Sequence, residues 1–242
     1  MKILIVSGFL GAGKTTFIKR LARNVDQRFA ILENEYGAAG IDGARLGQNR
    51  QGTQKNVWEM TEQCICCIGK KDFAASVLTI ANVVDPEYLI VEPTGVGSLA
   101  RIIENLRQIE YERIQLLSPV TIVDVYSYRR YMAEYPELYQ DQIRSADTII
   151  VSKTEACQAE EKQRIQKFLQ EINPQAKIIT DYASTMTRED YQSLLLGGRY
   201  EKEVQDTQSG EKMPETFSFE NIRMEAPETL WCFLEQIIRG AF

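Results

Sequence analysis

Three of the five cysteines in this 242-residue chain fall within four positions, as Cys64, Cys66 and Cys67 of TEQCICC. Thiolates at that spacing suit metal binding or redox chemistry, and adjacent Cys66 and Cys67 cannot easily bridge each other, which argues against a disulfide framework. The chain has no histidine. Any metal site must therefore be built from thiolates, carboxylates, backbone groups, water or a second molecule. Cys157 and Cys232 stand alone and read as small buried hydrophobes.

The second chemical signal lies some fifty residues upstream, where residues 8–15 read GFLGAGKT and fit the pattern GxxxxGK[ST]. Glycines at 8, 11 and 13 let backbone N–H groups turn inward around a phosphate, and a following helix adds its positive end. Lys14 is placed to reach the β and γ oxygens, and the Thr15 hydroxyl suits Mg²⁺. Gly8, Gly11, Ala12, Gly13, Lys14, Thr15 and Thr16 are thus the expected phosphate-binding residues of a chain that takes a nucleoside triphosphate.

Two further segments complete a nucleotide site. In YLIVEPTG, residues 88–95, an apolar run ends in Glu92, which can hold Mg²⁺ through water, and Gly95 can offer its N–H to a γ-phosphate. In IIVSKTE, residues 149–155, the Lys153 stem can lie against a purine. A carboxylate at Glu155 can accept two N–H bonds from guanine, a pattern adenine does not supply. Ser152 and Glu155 replace the outer members of the usual Asn-Lys-x-Asp pattern, and GTP is favoured over ATP.

These residues need a scaffold. The run KILIVS before the glycine loop suits a strand buried on both faces of a parallel sheet. Residues 15–23 carry Phe17, Ile18 and Leu21 on one side, as an amphipathic helix does. Short apolar segments recur at 29–32, 88–91, 120–123, 148–151 and 177–179 between helix-compatible stretches. The expected fold class is α/β with a mostly parallel sheet flanked by helices. Residues 37–53 read as a loop, 201–214 as a polar linker, and 215–242 as a short strand and helix.

With 44% hydrophobic residues the chain can bury a full core, and a net charge of −6 gives no electrostatic reason to expect nucleic acid. No apolar run approaches the roughly 18 residues that cross a bilayer. MKILIVSGFL lacks the cleavage region of a signal peptide, so a cytoplasmic location without membrane attachment is expected.

The motifs occur in one order: GFLGAGKTT, ENEYG at 33–37 followed by GID, CICC, VEPTG, TIVD, QIRSAD, SKTE and INP. In that order they resemble the CobW-type GTPases of the SIMIBI class of P-loop NTPases, a group of proposed metallochaperones and cobalamin-biosynthesis proteins, over residues 1 to about 174. The resemblance implies a P-loop GTPase domain over 1–200 and, over 215–242, the start of the family's C-terminal domain, here cut short. It implies that CxCC is a Zn²⁺ or Co²⁺ site at Cys64, Cys66 and Cys67 whose access follows the nucleotide state, GTP or GDP. Mg²⁺ would sit between Thr15 and Glu92. Catalysis would be electrostatic, with Lys14 and the loop amides, Gly95 among them, stabilising the transferring phosphoryl group and Glu35 positioning water. Turnover would be slow without a partner. Ala38 and Gln63 depart from the family, which commonly has glutamate and glycine there.

The expected partners are a guanine nucleotide and a client metalloprotein or corrinoid enzyme, and a homodimer is left open. A competing reading is a nucleotide-controlled accessory protein that activates a metallo- or corrinoid enzyme without carrying metal itself. A third, a small-molecule kinase, predicts no guanine preference.

Overall fold

The computed structural model describes residues 1–27, 29–33, 57–61, 70–204 and 231. The sheet is built from β1 (Lys2–Gly8), β2 (Phe29–Glu33), β3 (Val57–Thr61), β4 (Tyr88–Glu92), β5 (Gln115–Leu116), β6 (Val120–Asp124), β7 (Thr148–Ser152) and β8 (Lys177–Ile179). Their order is β3-β2-β4-β1-β6-β7-β8, and β5 pairs with β1 beside β6. Every ladder between these strands is parallel.

The helices are α1 (Lys14–Asn24), α2 (Lys70–Val83), α3 (Leu99–Arg107), α4 (Tyr128–Glu134), α5 (Pro136–Arg144), α6 (Ala159–Ile172), α7 (Tyr182–Thr185) and α8 (Arg188–Leu196). Strand alternation explains why β1 is a continuous apolar run. Leu4 and Val6 pack with Phe17, Ile18 and Leu21 of α1 and Tyr191 and Leu195 of α8. Ile3 and Ile5 pack on the other face with Phe73 and Val77 of α2 and Ile102 and Ile103 of α3. All four β1 side chains are fully buried. Truncating one to alanine should cost about 2–5 kcal/mol, as core deletions do.

A third cluster joins Phe9 to Tyr139 and Ile143 of α5 and to Ile149, Val151, Ile165 and Leu169. It packs the start of the glycine loop against the β6–β7 half of the sheet.

The expected α/β architecture is present, with strands at each of the expected segments that the described residues include. Two strands carried no sequence signal. β5 is two residues long, and β3 mixes Trp58, Glu59 and Met60 without clean alternation; both exist through pairing with strands already formed. The loop expected over 37–53 lies outside the described residues, as do 205–214 of the linker and all of 215–242 except Trp231.

Candidate nucleotide site

Strand order places the glycine loop. β1 is flanked by β4 on one edge and β6 on the other, so the chain leaves its carboxyl end at the point where the sheet winds in both directions, which is where open α/β sheets form their crevice. The loop then feeds α1 directly. Gly8 has φ +143°, and a Cβ there would lie 2.5 Å from the Ile122 carbonyl oxygen on β6. Only glycine fits that close strand crossing. Gly13 occupies the helix N-cap at φ 100°. No side chain caps α1 among the described residues, and no acidic residue lies in its first turn. The positive end of the helix therefore faces the loop, the arrangement that favours phosphate.

Lys14 is buried, and its ammonium donates to the carbonyls of Gly8 at 3.0 Å and Phe9 at 3.4 Å. The cation thus sits inside the loop curve. The Ala12 N–H closes a turn onto the Phe9 carbonyl at 3.1 Å. One helical position on, the Thr15 hydroxyl donates to both Glu92 carboxylate oxygens, at 2.9 and 3.2 Å. Residues 77 positions apart in sequence therefore form one pair at the foot of the loop. A hydroxyl beside a carboxylate is the hard oxygen donor set that Mg²⁺ prefers, so these two residues fit the ion the motif implies. Glu33 is the register partner of Glu92 on the neighbouring strand.

Gly95 lies against the same loop. A Cβ at that position would come within 2.4 Å of the Leu10 nitrogen and 2.9 Å of the Phe9 carbonyl carbon. Only glycine fits that close approach of the two backbones.

The other end of the site is built from side chains. Ser152 is buried, and its hydroxyl donates to the Ala12 carbonyl at 2.6 Å and more weakly to that of Val123 at 3.3 Å. It ties the end of β7 to the phosphate loop. Lys153, at φ 61°, projects half-exposed from the strand end and pairs with Asp124 at 2.7 Å. Burial alone would raise the Asp124 carboxyl, but the Lys153 ammonium, the Tyr126 N–H and the Ser127 hydroxyl outweigh it and hold the group below the usual carboxylate range. Glu155 is exposed beyond it.

Asp181 approaches from the β8–α7 turn. Its carboxyl is held low by a bond from Lys162, at 2.6 Å, and by the Thr154 side chain. Asp124 and Asp181, partnered with Lys153 and with Lys162 and Thr154, are neighbours of the loop after β7 that sequence reasoning passed over. TIVD did end a strand in an acid, which was a usable signal for Asp124; Asp181 gave none.

Cys64, Cys66, Cys67 and Glu35 lie outside the described residues, as does Cys232. Cys157 is half-buried against the Phe9 cluster. Among the described residues no group of three or more cysteine or acidic side chains is placed to hold a metal. No described helix is long and apolar enough to cross a membrane.

A parallel sheet with a glycine loop and buried lysine at its central strand, followed by a hydroxyl–carboxylate pair, defines a P-loop nucleotide-binding domain. Residues 2–180 match the family model described as the CobW/HypB/UreG nucleotide-binding domain, and the chain belongs to that family. It is 30% identical over 178 residues to the zinc chaperone YeiR of Escherichia coli, covering 72% of this chain and 53% of that one. It is 27% identical over 194 residues to the zinc chaperone CobW of Pseudomonas aeruginosa, covering 68% and 52%. The chain spans about half the length of these relatives. The fold is shared with the Zn(II)-bound YjiA GTPase from E. coli, at TM-score 0.56 and 19% identity over 84% of this chain and 66% of that one. It is also shared with the hydrogenase maturation factor HypB of Archaeoglobus fulgidus, at TM-score 0.53 and 18% identity over 81% and 89%.

Proposed function

We propose that this protein binds and hydrolyses GTP with Mg²⁺ and uses the nucleotide state to control metal binding at Cys64, Cys66 and Cys67. The observation that carries the catalytic half is the Thr15–Glu92 pair below a loop that encloses Lys14. Lys14 would exchange the Gly8 and Phe9 carbonyls for phosphate oxygens, and the α1 amides would take the remaining charge. Thr15 directly and Glu92 through water would hold Mg²⁺, which would supply neutralisation of phosphate charge. Gly95 would bring its N–H to the γ-phosphate, and Glu35 would orient water. Lys153 and Glu155 would read guanine. With Lys14 the cation at the loop, turnover is slow until a partner docks.

The metal half is supported by family membership, by relatives named as zinc chaperones, and by the thiolate chemistry of CxCC. Zn²⁺ or Co²⁺ would be cargo for a client metalloprotein or corrinoid enzyme in the cytoplasm, with 1–200 acting as the GTPase domain and 215–242 as the start of a second. A homodimer is compatible with this reading.

The deciding experiment titrates Zn²⁺ and Co²⁺ into reduced protein under anaerobic conditions, first with GDP and then with a non-hydrolysable GTP analogue. The expected result is a thiolate charge-transfer band whose midpoint differs between the two nucleotides and which Cys66→Ser abolishes. If neither metal gives the band in either state, the cargo site is wrong and a partner-activating GTPase replaces it.

A further inference from the structure

Three motifs in the chain, QIRSAD, INP and the residues after VEPTG, are joined by hydrogen bonds that the nucleotide reading does not use. The Gln142 side chain is buried on α5, and its carboxamide nitrogen donates to the carbonyls of Gly95 at 3.1 Å and Gly97 at 3.0 Å. Both of its N–H groups are thereby spent on one segment. The preceding residue, Asp141, accepts from the Leu99 N–H at 2.7 Å and the Ala100 N–H at 3.4 Å, at the N-terminus of α3. Two adjacent side chains of α5 therefore hold residues 95–100 from behind.

α5 is itself anchored. The Asn173 amide, in the INP motif, donates to the carbonyls of Ile143, Arg144 and Ala146 at its C-terminus. On its inner face the Thr121 hydroxyl of β6 donates to the Gln142 carbonyl at 2.9 Å.

The held segment is the one that touches the phosphate loop, through Gly95 against Phe9 and Leu10. In a trans peptide the C=O and the next N–H point in opposite directions. Fixing the Gly95 and Gly97 carbonyls toward α5 thus fixes which way the Val96 and Ser98 amides point. The bond pattern is also incomplete. The Gln142 carboxamide oxygen and the Ser7 hydroxyl are buried without partners among the described residues, and Ser7 is the register partner of Thr121. Buried unpaired polar groups are costly, and native structures hold few of them.

From this geometry we propose that Gln142 is a positioning residue, the latch that, through the Gly95 and Gly97 carbonyls, holds Gly95 against the phosphate loop and so determines how strongly the site prefers a nucleoside triphosphate to a diphosphate. This rests on the GTP reading above. α5, whose C-terminal turn is clamped by Asn173 and bonded through Asp141 and Gln142 to residues 95–100, is the rigid element against which that segment is held.

The test compares wild type with Gln142→Met, which keeps the length of the side chain but removes both donors, and with Gln142→Glu, which keeps its shape but loses the paired donors. The readouts are the affinities for GDP and for a non-hydrolysable GTP analogue by calorimetry, together with kcat and KM for GTP. The expected result is a drop of about tenfold in the analogue-to-GDP affinity ratio, the size of one lost hydrogen bond to a developing contact, with GDP affinity retained and kcat lowered more than KM is raised. An unchanged ratio in a variant that still binds GDP overturns the latch. Should both variants fail to fold, amide hydrogen exchange on the wild-type chain decides: residues 95–100 and 141–145 must change protection together between GDP and the analogue, and independent behaviour overturns it. If the wild type binds no guanine nucleotide, it is the GTP reading that fails, and this outcome is separate from the others.

Discussion

The phosphate end and the base end of the site are made differently. At the phosphate end the groups are mainly backbone amides, glycine dihedrals and the buried Lys14 of the nine residues from Gly8 to Thr16, with Glu92 and Gly95 set against them. At the proposed base end they are side chains from different elements, with Lys153, just past β7, half-exposed and paired to Asp124 of β6 across 29 positions of sequence. A backbone-built cradle admits few substitutions, because its donors are in place only if the dihedrals are. A side-chain-built pocket can exchange members so long as the bonds they make are kept. Ser152 shows this: it stands where the usual pattern has asparagine, yet its hydroxyl reaches the Ala12 carbonyl at 2.6 Å.

The sharpest way to break that contrast is Gly8→Ala. The added methyl meets the Ile122 carbonyl at a φ that L-residues avoid, so we expect a loss of about 3 kcal/mol of stability. In a chain of this length that lowers Tm by roughly 6–12 °C, and a thermal melt within 2 °C of wild type would show the cradle to be softer than described.

Lys14→Ala should act on binding with a fold left intact. GTP affinity is expected to fall by about a hundredfold, the worth of a buried charge-assisted contact to phosphate, measured by calorimetry. Retained affinity would remove Lys14 from the phosphate site.

Glu155→Ala tests the base end alone. Being exposed, it should leave Tm unchanged while the preference for GTP over ATP falls by about tenfold. A preference unmoved by this change would transfer base selection to Asp124 or Asp181.

The smallest effect is electrostatic. The Asp124 carboxyl titrates lower in the folded chain than when unfolded, so the stability it contributes is complete above about pH 3.9 and is lost as pH falls through the folded value. Asp124→Asn should therefore lower Tm by more at pH 7 than at pH 3. A gap of equal size at both pH values would assign the loss to packing.

Reading the sequence reached the parallel sheet, the phosphate loop and the Glu92 strand end, because each rests on local pattern: apolar runs for buried strands, glycines at fixed offsets, a lysine at the helix start. It missed β3 and β5, which pairing creates, and it gave QIRSAD and INP no role. Gln142 is 47 and 45 residues from the carbonyls it holds, and Asn173 is 30 from the first carbonyl it caps. No periodicity links such positions.

By itself, then, the sequence determined what the central strand and its loop must be, since backbone donors and glycine dihedrals are properties of a contiguous segment. Only the tertiary structure decided that the Thr15 hydroxyl bonds Glu92 directly, that Ser152 bonds the Ala12 carbonyl of the phosphate loop, and that α5 holds Gly95. Those contacts depend on strand order and register, which bring together groups that the chain itself keeps far apart.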